Sequence, residues 1–161
     1  MGIYFNPSNR SFTSDKNSKI YVDKTGLIEY LNGILGTNSR CIAVSHARRF
    51  GKSHAAGMID AYYSLGSESS GLFDDTKIAK SSDYKKYMNK YNVIHLDISS
   101  VWDFHKEDLV ESIQERLCED FHKEYADTIN YDKDLYLLIQ DIFNRTNIPF
   151  VIIIDEWDCV I

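Results

Sequence analysis

The segment PFVIIIDEWD, Pro149–Asp158, constrains the fold more than any other stretch of the chain. Five apolar residues run unbroken from Phe150 to Ile154, and four of them are β-branched. Branching at Cβ favours an extended backbone. A continuous apolar run, unlike an alternating one, predicts a strand buried on both faces, and such strands sit in parallel sheets covered by helices. The run ends in Asp155 and Glu156, which places two carboxylates at the polar end of that strand.

The remaining segments supply what such a sheet requires. Arg40–Ser45 (RCIAVS) and Asn92–Ser99 (NVIHLDIS) are predicted strands, and Lys19–Lys24 is a short extended piece. Thr25 is placed to cap a helix carrying Leu27, Ile28, Leu31, Ile34 and Leu35 at helical spacing, with Gly36 at its end. A helix beginning at Lys52 puts Ala55, Ala56, Ile59, Tyr62 and Tyr63 on one face and ends in the loop Ser64–Gly71. Leu109, Ile113, Leu117, Phe121 and Tyr125 mark a long amphipathic helix. Another runs from about Lys133 to Arg145 with Leu135, Leu138, Ile139 and Ile142 inward, until Asn147 and Pro149 break it. Residues 1–24 show no clear helical period. The predicted class is α/β, a mostly parallel sheet flanked by helices. The 161 residues hold two prolines, no low-complexity linker and no repeat. They are read as one domain: an N-terminal extended segment and helix over 1–39, then a core over 40–161.

Charge narrows the ligand. The net charge is −6, yet Arg40, Arg48, Arg49 and Lys52 cluster locally. An acidic chain with one basic loop suits a small anion better than a nucleic-acid track. Between Asp103 and Asp134 eleven acids face four basic residues. That run is either a solvated helix face or a surface that mimics nucleic acid or docks a basic partner. Cys41, Cys118 and Cys159 lack metal spacing and are read as reduced core thiols of a cytoplasmic protein. Nothing resembles a signal peptide or a membrane span. Asn6 stands where myristoylation at Gly2 would want Ser or Thr.

The basic loop reads HARRFGKS, His46–Ser53. Strand, loop, Gly-Lys-Ser and helix is the order of a phosphate-binding loop. Backbone N–H groups at the helix start point at phosphates, Gly51 permits close approach, Lys52 reaches the β- and γ-phosphates, and the Ser53 hydroxyl ligates Mg²⁺. Arg48 and Arg49 neutralise phosphate charge, and Phe50 lies between them and Gly51. The predicted nucleotide-binding residues are therefore Arg48, Arg49, Phe50, Gly51, Lys52 and Ser53. Such loops normally open with glycine where this chain has His46, which either sits over a base or phosphate or fills space. The apolar run ending in Asp155-Glu156 matches a Walker B strand. Asp155 is predicted to hold Mg²⁺ through water together with Ser53, and Glu156 to polarise the attacking water as the catalytic residue. Otherwise they are two carboxylates at a strand end. Asp97 either faces the same cleft or caps the turn that follows it.

Four separated blocks, YVDKTGLIEYLN, RRFGKSHAAGMIDAYYS, YNVIHLDIS and FVIIIDEWD, occur in this order. Together they resemble the N-terminal part of an AAA-ATPase-like family found in many anaerobic gut bacteria and their mobile elements, over about Ile3 to Ile161. The resemblance implies a P-loop domain using Mg²⁺ and ATP, usually joined to a C-terminal nuclease-like domain of the PD-(D/E)XK type. That family usually reads Arg-Pro where this chain has His46-Ala47, so the missing glycine is a family habit and the histidine is particular. Tyr21, Asp23 and Lys24 match a second block. Related ATPases hold this segment near the base, but Asp23 is read as capping the next helix and Lys24 as a surface charge.

The sequence ends six residues after Asp155. The resemblance implies a further strand beyond that point, inserted between the loop strand and the Walker B strand, followed by arginine fingers. The domain is thus read as incomplete, with three possible consequences. The two strands pair directly, a second copy or protein partner completes the sheet, or the edge stays exposed. Two functions follow. One is Mg-nucleotide binding with little or no hydrolysis alone. The other is a non-enzymatic interaction protein, for example a phage or mobile-element inhibitor of a nuclease-based, CRISPR-like defence complex, docking through its acidic helical surface.

Overall fold

The computed structural model describes residues 2–45, 47, 49–125 and 134–160. Among the described residues six helices and two strands follow in the order α1 (Arg10–Lys16), α2 (Gly26–Ile34), α3 (Lys52–Tyr63), β1 (Asn92–Asp97), α4 (Ile98–Trp102), α5 (Leu109–Tyr125), α6 (Leu135–Thr146) and β2 (Phe150–Asp155). Single 3₁₀ turns occupy Lys77–Lys80 and Trp157–Val160. β1 and β2 pair in parallel, with Asn92 opposite Phe150 and Asp97 opposite Asp155.

That register sorts the side chains. Val93, Val151 and Ile153 face α3 and join a core with Phe12, Ile28, Met58, Tyr62, Tyr63 and Phe73. Ile94, Leu96 and Phe150 face the other way and pack with Leu117 and Phe121 of α5 and Leu138 and Ile142 of α6. Helices therefore cover both faces, and the α/β class with a parallel pair holds. The four-residue spacing of the long helix reproduces α5, and Asp134 caps α6 by accepting from Leu137 N at 2.9 Å. Asn147, at φ 54°, ends α6 in a left-handed conformation.

Two strand expectations fail. β2 is not buried on both faces: Ile152 is 56% and Ile154 55% exposed. The α5–α6 layer reaches Phe150 but stops short of these two side chains. Arg40–Ser45 forms no strand and is exposed throughout. An extended segment becomes a strand only when a neighbour accepts its ladder of hydrogen bonds. Among the described residues β2 pairs with β1 alone. Arg40–Ser45 and β2 thus do not pair with each other, and among the described residues the outer edge of β2 is open. Cys41 is also exposed rather than a core thiol, while Cys118 and Cys159 are half-buried.

The N-terminal segment adds a third, antiparallel rung that no sequence pattern announced. Phe5 bridges Ile94, Asn6 N donates to Val93 O at 2.7 Å, and His95 N donates to Tyr4 O at 2.8 Å. Asp120, buried in α5, fixes this segment by accepting from Tyr4 N at 2.8 Å and Phe5 N at 3.3 Å. Asp120→Ala leaves those donors unsatisfied at a cost of about 2–3 kcal/mol. Thermal denaturation is expected to show a midpoint lower by about 5–10 °C.

Candidate functional site

The site forms where α3 starts and the parallel strands end. Gly51 precedes α3 at φ 79° and ψ 41°, a left-handed conformation that only glycine adopts without penalty. No side chain caps the first turn of α3. Its leading N–H groups, which have no partner within a helix, carry the positive end of the helix dipole. Arg49, at φ 68°, is also left-handed, whereas Phe50 between them is not. Alternation of this kind turns successive N–H groups toward a common anion.

Lys24 closes the back of the loop. Its ammonium donates to Phe50 O at 2.5 Å and Gly51 O at 3.2 Å. A Cβ on Gly51 would lie 2.6 Å from that nitrogen. Lys24 is therefore no simple surface charge. Asp23 does not cap α2, whose first turn takes no side-chain cap; it ties the preceding segment by accepting from Thr25 N at 2.8 Å and from Lys77 N at 2.8 Å.

Beside the first turn of α3 lies a cleft of about 460 Å³, lined on one side by Ser53, Gly57 and Asp60 of α3 and on another by His95, Asp97 and Asp155 of the strands. Residues of the N-terminal segment, among them Ile3, Pro7 and Ser11, complete its wall. α1 approaches α3 so closely there that a Cβ on Gly57 would lie 2.8 Å from Ser11 Oγ. The parallel register and the alternation of side chains put His95, Asp97 and Asp155 on the α3 face together.

Of the residues singled out in the sequence, Ser53 and Asp155 thus share one cleft. Lys52 is half-buried at the first position of α3, and Arg49 and Phe50 are exposed on the loop. Glu156 is half-buried in the turn after β2 at φ 50°, and its N–H donates to Asp155 Oδ1 at 3.0 Å. Neither Lys52 nor Glu156 lines the cleft. His46 and Arg48 lie outside the described residues. Asp97 does both things open to it: it lines the cleft and caps α4, accepting from Ser99 Oγ at 2.7 Å and Ser100 N at 3.4 Å.

Sequence reading missed the pair at the cleft floor. His95 Nδ1 and Asp60 Oδ2 are 2.6 Å apart, with side chains 18% and 7% exposed. Burial pushes the Asp60 carboxyl above its ordinary value, and the bond to His95 only partly offsets it. Burial also disfavours charge on His95, but the bond and charge of Asp60, helped by Asp155 and Asp97, outweigh it and raise its pKa. The second oxygen, Asp60 Oδ1, is buried with no partner. A polar residue at each of two buried positions, Asp60 on the inner face of α3 and His95 within an apolar strand, was the available signal.

Among the described residues no helix is long and apolar enough to cross a membrane, and no group of three His, Cys, Asp or Glu side chains is arranged to hold a metal by itself. Mg²⁺ makes no such demand, since water and phosphate supply most of its oxygens. A hydroxyl and a carboxylate facing one cleft, with the unpartnered oxygen of Asp60 beside them, are chemically suited to it. No curated protein and no solved structure matches the chain. A family model described as a predicted AAA-ATPase matches residues 11–161, which covers the loop, α3 and both strands. The chain belongs to the AAA-ATPase-like family.

Proposed function

We propose that this domain binds Mg-nucleotide at the start of α3, with ATP as the nucleotide its family implies. The observation that carries the reading is the meeting of Ser53 and Asp155 in one cleft beside the uncapped first turn of α3. In this reading the N–H groups of Gly51, Lys52 and Ser53 receive the phosphates. Lys52 counters their charge, and Arg48, Arg49 and Phe50 flank them. Ser53 Oγ and, through water, Asp155 hold Mg²⁺, which would neutralise charge between phosphate oxygens. Glu156 polarises water. Turnover is slow in this reading: an arginine finger speeds related NTPases by about 10³–10⁵, and no arginine is among the described residues lining the cleft. The open edge of β2, with Ile152 and Ile154 uncovered, favours a further strand from this protein or a partner as its cover.

The Mg²⁺ dependence of binding tests the metal half of the proposal. A fluorescent ATP analogue is expected to bind the wild-type chain at least tenfold more tightly with Mg²⁺ than with chelator. Asp155→Asn should erase most of that difference while leaving metal-free affinity unchanged. Equal Mg²⁺ dependence in both proteins would remove Asp155 from the site.

A second reading, an interaction protein, is favoured by one feature. Glu111, Glu115 and Glu119 lie one turn apart along α5 and are all exposed. Reversing all three to Lys is expected to abolish binding of a Lys/Arg-rich peptide measured by fluorescence anisotropy. Unchanged anisotropy would exclude that face.

A further inference from the structure

We infer that Lys24 is a positioning residue that sets the phosphate-binding loop in its anion-accepting form before any nucleotide arrives. The inference rests on the nucleotide reading above and adds a residue outside the Gly-Lys-Ser motif. A trans peptide directs its N–H opposite the preceding carbonyl, and no cis peptide occurs in the described chain. Lys24 Nζ holds the carbonyls of Phe50 and Gly51 on one side, at 2.5 and 3.2 Å. The N–H groups paired with those carbonyls belong to Gly51 and Lys52, so both are turned to the opposite side.

Three further observations fit this role. Gly51 O is also the first acceptor of α3, taking Ala55 N at 3.1 Å, so the ammonium acts on the residue that joins loop to helix. Gly51 is left-handed, a conformation strained for any other residue, and a Cβ there would meet the Lys24 ammonium at 2.6 Å and push it from its place. Lys24 itself is held in place, because its neighbour Asp23 is fixed to Thr25 and Lys77 by three hydrogen bonds of 2.7–2.8 Å. Successive N–H groups held in this way form an anion-binding concavity without side-chain help. Ordering the loop in advance removes an entropic cost from binding.

Two measurements on the full chain test this together: ATP affinity with Mg²⁺ by calorimetry, and amide hydrogen exchange over residues 49–55 without nucleotide. Lys24→Met is expected to accelerate exchange in that stretch at least tenfold and to weaken ATP binding about ten- to a hundredfold. The melting temperature should stay within about 2 °C of wild type, since Lys24 lies outside both apolar cores. Lys24→Arg, which keeps a cation and its donors, should restore most of both properties. Weaker binding with unchanged exchange would mean that Lys24 touches the nucleotide directly, which overturns the positioning role. Faster exchange with unchanged affinity overturns it equally, and so does no change in either. If the wild-type chain binds no ATP, the nucleotide reading fails, while the exchange comparison still decides whether Lys24 orders the loop.

Discussion

Lys52→Ala is expected to weaken Mg·ATP binding about 10²–10³-fold. Lys52 opens α3 directly after left-handed Gly51, where the helix dipole and the free N–H groups already favour an anion. Removing one member of a desolvated, hydrogen-bonded charge pair costs about 2–5 kcal/mol, and each 1.4 kcal/mol is a factor of about ten in affinity. The same change should scarcely alter folding, because Lys52 belongs to neither apolar cluster. Its melting temperature is expected within about 2 °C of wild type. Calorimetry and thermal denaturation on the same samples separate a lost ligand contact from a damaged fold. A variant that melts normally and binds ATP like wild type would take Lys52 out of the site.

His95→Ala should have the opposite signature, a large loss of stability. Its partner Asp60 is 7% exposed and already has one oxygen without a donor. Removing the imidazole leaves a buried carboxylate with no partner at either oxygen. Breaking a buried pair in this way costs about 3–5 kcal/mol, or roughly 10 °C in melting temperature for a chain of this size. The combination His95→Gln with Asp60→Asn removes both charges and is expected to regain most of the loss. The pH dependence has a definite sign. The folded pKa of His95 is raised, chiefly against the opposing effect of burial by its bond to Asp60. Its contribution is therefore full below the ordinary histidine value of about 6.5 and disappears as the pH climbs through the raised folded value. The gap in melting temperature between wild type and His95→Gln should be wider at about pH 6 than at about pH 9. A gap that grows with pH would mean that His95 is neutral in the folded protein.

What the sequence discloses depends on whether the information is local. The spacing of Leu109, Ile113, Leu117, Phe121 and Tyr125 is a property of one helix, and α5 follows it residue for residue. Gly51, Lys52 and Ser53 adjoin in sequence, so the loop-to-helix junction is visible without a structure. Strand formation is not local. Arg40–Ser45 has the composition of a strand but no strand partner in the described chain, and it remains irregular and exposed. The apolar run of β2 correctly signals a strand, yet its burial depends on how far α5 and α6 extend over the sheet, which no residue of the run encodes. The N-terminal rung on β1 is held by Asp120, more than a hundred residues away. Lys24 reaches the loop because α2 and the turn at Lys77 fix the segment before it. The cleft itself depends on the register of β1 against β2, which brings Asp97 level with Asp155.

The most direct test is calorimetric titration of ATP with Mg²⁺ into the purified wild-type chain, with Lys52→Ala alongside. Saturable one-to-one binding, lost in the variant, is the predicted result. Absence of binding by the correctly folded wild-type chain at millimolar ATP, or equal binding by both proteins, would contradict a nucleotide site at the start of α3.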